Sequence, residues 1–296
     1  MRRPPAAELA LFAMTVVWGL SFLTIKWALT DCGVLTLTAA RMSVGLAFLL
    51  VLSPKSFAAT PLEWKAGLLG GALLASGYLL ETAGMVEAGA AKSGFLAQFY
   101  VALVPFVQAA VFRRRPAWVD VGSLALATGG IVLMVVRPGR DVSAGEVLVA
   151  LAACAWAVQI VVVGRVAERV DPFRIAVLQI AVIAAVALVG LVFVREPMPA
   201  WRPGLVLNVA YLGVGCSAAG FLVQAWAQKR VSPTRTAVLF CAQPVFTLLF
   251  GAWLAREAFD ARDVGGSALI LAAVGITIVA PRIDGPAAPG SGSLPP

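Results

Sequence analysis

Apolar residues run through this chain in blocks of about twenty, separated by short islands of charge, glycine or proline. A helix rises about 1.5 Å per residue, so roughly twenty residues cross the ~30 Å hydrocarbon core of a bilayer. Ten such blocks can be marked, at about 9–29, 34–52, 66–86, 93–112, 118–136, 145–164, 173–194, 204–227, 234–254 and 264–280. None shows the ten-residue alternation of a barrel strand. Lipid leaves only helices and closed barrels able to satisfy their own backbone. The pattern therefore predicts an all-α membrane protein with ten transmembrane helices. The first block is too long, and too poorly followed by a cleavage site, to be a removable signal peptide. The segment from 281, "PRIDGPAAPGSGSLPP", is expected to be a disordered tail.

Composition sharpens this. Sixty per cent of the 296 residues are hydrophobic and only 13% charged, with a mean hydropathy of +0.92. A soluble domain could not hide that surface from water. The net charge of +8 would suit nucleic acid, but its placement follows topology instead. With residues 1–8 in the cytoplasm, the loops on that side hold Arg2, Arg3, Lys55, Lys65, Arg113, Arg114, Arg115, Arg165, Arg169, Arg174, Lys229, Arg230, Arg235 and Arg282. The other side holds only Lys92, Arg137, Arg140, Arg195, Arg202, Arg256 and Arg262. That imbalance predicts cytoplasmic termini, with the tail of 281–296 inside. No nucleic-acid partner is expected.

The chain is also written twice. "VVWGLSFLTIKWAL" returns as "CAWAVQIVVVGRVA" at an offset of 138, pairing Trp18 with Trp156, Ser21 with Gln159 and Arg41 with Gln179. "GYLLETAG" returns as "GFLVQAWA" at an offset of 143, setting Glu81 against Gln224. "LVPF" answers "AQPVF" through Pro105 and Pro244, and Gly122 answers Gly266. The repeats cover 9–136 and 145–280 with five blocks each. Five is odd, so the second copy enters the membrane upside down. Inverted repeats of this kind are characteristic of secondary transporters, whose site lies near the midplane between the copies.

The Trp-Gly of "VVWGLSF", "LTLTAAR" entering the second block, the prolines of blocks four and nine, and "WLARE" (253–257) together resemble the EamA type of the drug/metabolite transporter superfamily. The likeness covers about residues 8–280, and "AAKSGFLAQFYVALVPF" is most similar to bacterial amino-acid exporters, those for aromatic amino acids included. The resemblance implies export of small metabolites by alternating access, with no cofactor and no ATP-hydrolysing partner. "FRRRPAW" departs from the family's usual "LGE" after block four, and only the second half keeps Glu257.

Candidate site residues are those that hydrocarbon should exclude. Lys26, Arg41 and Glu81 are ionisable groups inside blocks and fall at similar depth towards the outer face, so they form a gate or coupling cluster. Glu81 could be a structural ion-pair partner, part of a gate broken during alternation, or a group that binds a proton or a substrate amine. Its counterpart Gln224 is neutral. Trp18 and Trp156 are the only mid-block tryptophans; Trp27, Trp64, Trp118, Trp201, Trp226 and Trp253 lie near block ends as interfacial anchors. Trp18, Tyr78, Tyr100 and Trp156 are expected to wall a cavity, with Ser21, Gln98, Gln159, Gln224 and Gln243 supplying hydrogen bonds to an ammonium or carboxylate. Pro105 and Pro244 are expected hinges.

Absences narrow the chemistry. There is no Walker loop and no HExxH, and with no histidine neither Ser-His-Asp nor Cys-His catalysis can be built. Cys32, Cys154, Cys216 and Cys241 lack metal-ligand spacing. An enzyme is not expected, nor is a channel, since no filter repeat is present. A lipophilic-cation exporter of the same superfamily is the nearer alternative, because Glu81 with Tyr78 would suit a cation.

Overall fold

The computed structural model describes residues 6–88, 90–112, 118–135, 142–256, 258 and 260–280. The expected tail from 281, Arg2, Arg3, Arg113, Arg114, Arg115, Arg137, Arg140 and Glu257 lie outside the described residues, as does the side chain of Lys92.

The first half contributes α1 (Ala6–Ala28), α2 (Val34–Leu52), α3 (Pro61–Ala88), α4 in two segments (Ala90–Ala97 and Tyr100–Phe112) and α5 (Trp118–Val135). The second contributes α6 (Ala144–Val166), α7 (Pro172–Phe193), α8 (Pro203–Ala227), α9 in two segments (Pro233–Phe240 and Gln243–Ala255) and α10 (Ala261–Val279). Among the described residues nine of these are long and apolar enough to cross a membrane, and α5 is a shorter apolar helix. All ten coincide with the blocks read from the sequence. The main difference is at the start of α3, five residues earlier than the hydropathy suggests. Thr60 and Glu63 explain it: the Glu63 carboxylate accepts from the Thr60 N–H at 2.7 Å, and the Thr60 hydroxyl from the Glu63 N–H at 3.3 Å, with Pro61 between them. This is a capping box with proline in the first turn. It starts a helix in polar sequence that hydropathy alone overlooks.

The same local chemistry starts other helices. Asp171 before Pro172 accepts from the Arg174 N–H, and Ser232 before Pro233 accepts from the Arg235 N–H. Asp260 and Asp263 form a reciprocal capping box on α10. Arg256 ends α9 in the left-handed region at φ 54°, its N–H bonded to the Gly251 carbonyl.

The outside of the bundle is apolar, as lipid requires: Val192, Phe193, Leu207 and Val279 are exposed. Trp27, Trp64, Trp118, Trp201, Trp226 and Trp253 are exposed near helix ends, whereas Trp18 and Trp156 are half-buried inside. Packing runs mainly between the repeats. Helix α3 lies on α6 and α7, α8 on α1 and α2, α4 on α6, α9 on α1 and α4, α2 on α7, and α5 on α10. Exchanging each helix for its repeat mate maps this set onto itself.

Glycines set the closest of these approaches. A Cβ on Gly84 would lie 2.5 Å from the Gly145 carbonyl oxygen between α3 and α6. One on Gly130 would lie 2.7 Å from the Gly266 carbonyl oxygen between α5 and α10. Backbone contact at this range packs helices without an apolar driving force from lipid. Gly84→Leu should destabilise the bundle by about 1–3 kcal/mol, the usual cost of overpacking. Gly122→Leu, which meets nothing within 4 Å, should leave thermal unfolding in detergent unchanged.

A second prediction concerns the turn between α1 and α2. Burial, with the charges of Glu196 and Asp31 nearby, pushes the Cys32 thiol up to about 11. The thiolate is the reactive form. The rate of Cys32 alkylation by iodoacetamide should therefore be slow at pH 7 and still rise about tenfold per unit between pH 9 and 10, where an ordinary cysteine levels off. Mass spectrometry of the modified peptide reads this directly.

Candidate functional site

A single set of departures from regular helix marks the middle of the bundle. Helix α4 breaks at Gln98–Phe99 and α9 at Cys241–Ala242, where the bonding changes to three-residue steps: Phe99 N–H to the Leu96 carbonyl at 3.0 Å, and Ala242 N–H to the Leu239 carbonyl at 3.2 Å. Helix α8 widens into a π-helix over Tyr211–Ala219. Such widened turns release a carbonyl from the ladder. Here the Cys216 carbonyl accepts the Trp18 indole N–H at 2.9 Å.

Between these elements lies a cavity of about 670 Å³ of atom-free space including its mouth. Trp18, Ser21, Tyr78, Gln98, Tyr100, Trp156, Gln159, Gln224 and Gln243, the nine residues expected at a site, all line it. Arg41 and Glu81 line it too. Lys26 does not; it is exposed near the end of α1, so the expected trio of charges is a duo inside the cavity. Sequence reasoning missed Phe22, Ile25, Ala97, Ile160, Cys216, Phe221 and Phe240 on its walls. For Phe221 a signal existed, since it is the repeat mate of Tyr78. The others look like ordinary apolar positions.

The two tryptophans are seated by glycines. A Cβ on Gly220 would fall 2.7 Å from the Trp18 ring, and one on Gly77 would fall 3.2 Å from the Trp156 ring. Gly77 and Gly220 are themselves repeat mates, so each indole packs against the third helix of the other repeat. The aromatic surroundings follow suit: Trp18 meets Phe240 edge-on at 4.7 Å, and Trp156 meets Tyr78 edge-on at 4.8 Å. One asymmetry stands out. Trp18 has its π-helix carbonyl, while the Trp156 Nε1, beside the regular helix α3, is buried without a hydrogen-bond partner among the described residues.

Polar groups divide by depth. Towards the face bearing the start of α1, Gln224 donates to Gln159 at 3.0 Å and to Gln228 at 3.2 Å, and Gln228 donates to the Ile160 carbonyl at 2.8 Å. This amide chain ties α6 to α8. Behind it Leu11, Val161, Ala227, Val231 and Val238 are packed in one apolar cluster. At the midplane Gln98 donates to Gln243 at 3.3 Å, joining the two broken helices. Towards the other face stand Arg41 and Glu81. The Arg41 guanidinium lies 4.3 Å over the Tyr78 ring, and no ion pair joins it to Glu81 among the described contacts.

The prolines do not sit alike. Pro244 lies directly after the break in α9, where a first-turn proline loses no bond. Pro105 lies inside the second segment of α4, well past the break. The breaks correspond at an offset of 143, so the sequence pairing of Pro105 with Pro244 is not the structural one.

No group of three or more metal-ligating side chains occurs among the described residues. The cavity offers an aromatic wall, paired amides and two opposite charges, which suits recognition of a small polar molecule with an apolar portion.

Comparison with known proteins agrees with the repeat. The model of the EamA-like transporter family matches residues 5–136 and again residues 143–279. An uncharacterized transporter of Archaeoglobus fulgidus is 23% identical over 268 residues, spanning 90% of this chain and 84% of that protein. An uncharacterized transporter of Bacillus subtilis, YcxC, is 24% identical over 291 residues, spanning 90% of this chain and 91% of that protein. A solved crystal structure with 20% identity superposes with a TM-score of 0.76 over 93% of this chain and 96% of its own, a likeness of fold alone. The chain belongs to the EamA-like transporter family.

The seating of the rings yields a test. Gly220→Ala should push Trp18 from the Cys216 carbonyl and cost about 1–3 kcal/mol of stability. Gly77→Ala, with 0.5 Å more room against the Trp156 ring (3.2 Å against 2.7 Å), should cost less than ~1 kcal/mol. Thermal unfolding of the two variants side by side reads the difference.

Proposed function

We propose that this EamA-like transporter exports amino acids, neutral and aromatic ones foremost, and related small metabolites across a bacterial inner membrane by alternating access between its two repeats. The observation that carries the reading is the cavity itself: the repeat mates Trp18 and Trp156 wall it, and the amide and hydroxyl groups of both halves converge on it. The basic imbalance between loops supports cytoplasmic termini, so the amide chain faces the cytoplasm and the Arg41 and Glu81 side faces outward. No ATP-hydrolysing subunit is required, since rocking of one repeat against the other moves the molecule.

In this reading Trp18, Tyr78, Tyr100 and Trp156 hold the apolar portion of the substrate. Ser21, Gln98, Gln159, Gln224 and Gln243 offer hydrogen bonds that are exchanged between protein and substrate. The Gln159–Gln224–Gln228 chain is the inner closure, because breaking it separates α6 from α8 below the cavity. The helix breaks at Gln98–Phe99 and Cys241–Ala242, with Pro244 beside the second, are where bending costs fewest backbone bonds. Pro105 adds a lost bond in α4. A lipophilic cation is disfavoured by the Arg41 guanidinium inside the cavity.

The test is transport by the purified protein in liposomes. Labelled Phe, Trp and Thr should enter faster than into protein-free vesicles, and unlabelled Phe should compete. Movement of a lipophilic cation with no movement of any amino acid would reverse the substrate assignment. Imposing a pH gradient then separates a facilitative carrier, indifferent to it, from a proton-coupled one. Gln224→Leu, which cuts the amide chain at its branching residue, should lower the amino-acid rate about tenfold or more, as loss of buried hydrogen bonds predicts.

A further inference from the structure

Two opposite charges share this cavity without neutralising each other. Arg41 is 1% exposed, yet its Nε and Nη2 have no hydrogen-bond partner among the described residues. The Tyr78 ring lies 4.3 Å beneath the guanidinium carbon and attracts its charge, but supplies no hydrogen bond to its N–H groups. Glu81 is 7% exposed and lines the same cavity one turn along α3 from Tyr78. A guanidinium is built for bidentate grip on a carboxylate, and a carboxylate accepts readily from an ammonium. Left as they are, both groups are buried with bonding capacity unspent, which is costly in a low-dielectric interior.

We propose that Arg41 and Glu81 are the two poles of a receptor for the amino-acid zwitterion: Arg41 takes the α-carboxylate and Glu81 the α-ammonium. This assignment rests on the amino-acid reading above and deepens it. The pair is neutral as a whole, and a zwitterion adds no net charge to it. A lone amine or a lone carboxylate would answer one pole and leave the other buried and unmet. The repeat mates make the direction definite. Gln179 and Gln224 replace the charges in the second half, and Gln224 is already spent on Gln159 and Gln228. The zwitterion therefore meets a full charge of each sign at one place in the cavity, the Arg41 and Glu81 side, and the side chain lies towards Trp18, Trp156 and Phe221. Tyr78 acts as the bed that keeps the guanidinium from swinging over to Glu81.

The experiment uses the full chain in liposomes, reading uptake of labelled L-phenylalanine against three competitors: unlabelled phenylalanine, phenethylamine, which lacks the carboxylate, and 3-phenylpropanoate, which lacks the ammonium. In the unaltered protein each single-ended analogue should compete about tenfold or more weakly than phenylalanine, the loss expected for an unmet charge-assisted hydrogen bond. Arg41→Gln should erase the disadvantage of phenethylamine while leaving that of 3-phenylpropanoate. Glu81→Gln should do the reverse. If both analogues compete as well as phenylalanine in the unaltered protein, the assignment is overturned without any variant having to fold. If phenylalanine is selected over them but both variants, folded by size-exclusion and thermal unfolding, lose all three ligands equally, Arg41 and Glu81 are a structural pair and the assignment again fails. Failure of the unaltered protein to move any amino acid would instead overturn the functional reading on which it rests.

Discussion

Hydrocarbon offers no partner to a bare peptide group, and that constraint organises this molecule. A lipid-embedded chain can leave its helical ladder only where protein or a polar cavity receives the freed groups. Here the departures are concentrated: the breaks in α4 and α9, and the widened stretch of α8. All three border the cavity, through Gln98, Gln243 and Cys216. The Cys216 carbonyl, in the widened stretch, takes the Trp18 indole, and the two glutamines beside the breaks bond each other. Irregular backbone and polar lining are thus one feature seen twice, since each supplies what the other lacks.

Much of this was legible in the sequence because the constraint is written there. Spans follow from length and hydropathy, and their ten positions match the helices. The inverted duplication follows from ordered matches such as Trp18 with Trp156, and the structure repeats it in the seating of those rings on Gly220 and Gly77. Polar and aromatic residues at mid-span need a partner or a cavity: the nine candidates line one, whereas Gln108 is met by Thr234 and Tyr211 by the Val17 carbonyl. What was not legible depended on orientation rather than depth. Lys26 lies at the expected depth on α1 but is exposed, away from the cavity. Phe240 and Ile160 face the cavity, yet their types equally fit a core. The prolines misplace the α4 break, because Pro105 can be carried within a helix whereas the real break at Gln98–Phe99 contains neither proline nor glycine.

The ends of the bundle show how the repeats are held. On the face that bears the start of α1, the Glu63 carboxylate accepts from the Asp171 N–H at 2.9 Å and from Arg174 at 3.1 Å, joining α3 to the start of α7. Arg235 bonds Asp120 at 3.2 Å and the Ala280 carbonyl at 2.9 Å. On the opposite face Glu196 accepts from the N–H groups of Leu35 and Thr36, each at 2.8 Å, capping α2 from the loop after α7. A carboxylate at a helix start meets both unpaired N–H groups and the positive end of the dipole. Glu63 and Glu196 do equivalent work: each is supplied by one repeat and closes on the second helix of the other. Both are engaged here, so the cavity lies between two fastened ends.

That pairing limits how the molecule can move. Each fastening is a short polar contact at the membrane boundary, where water can replace the lost bonds at little net cost. The glycine contacts of α5 with α10, and of α3 with α6 at Gly84 and Gly145, are backbone to backbone and have no such substitute, so each of those pairs is held as a unit. In the proposed reading, opening parts α6 from α8 on one side, or α3 from α2 on the other, with the bends of α4 and α9 absorbing the change. The charge distribution makes the two motions unequal. Parting the amide side exposes groups that bond equally well to water. Parting the other side hydrates a guanidinium and a carboxylate that the closed state leaves unmet. In the proposed reading, a bound molecule that satisfies those charges stabilises the closed form more than either open one, the differential binding that a transport cycle needs.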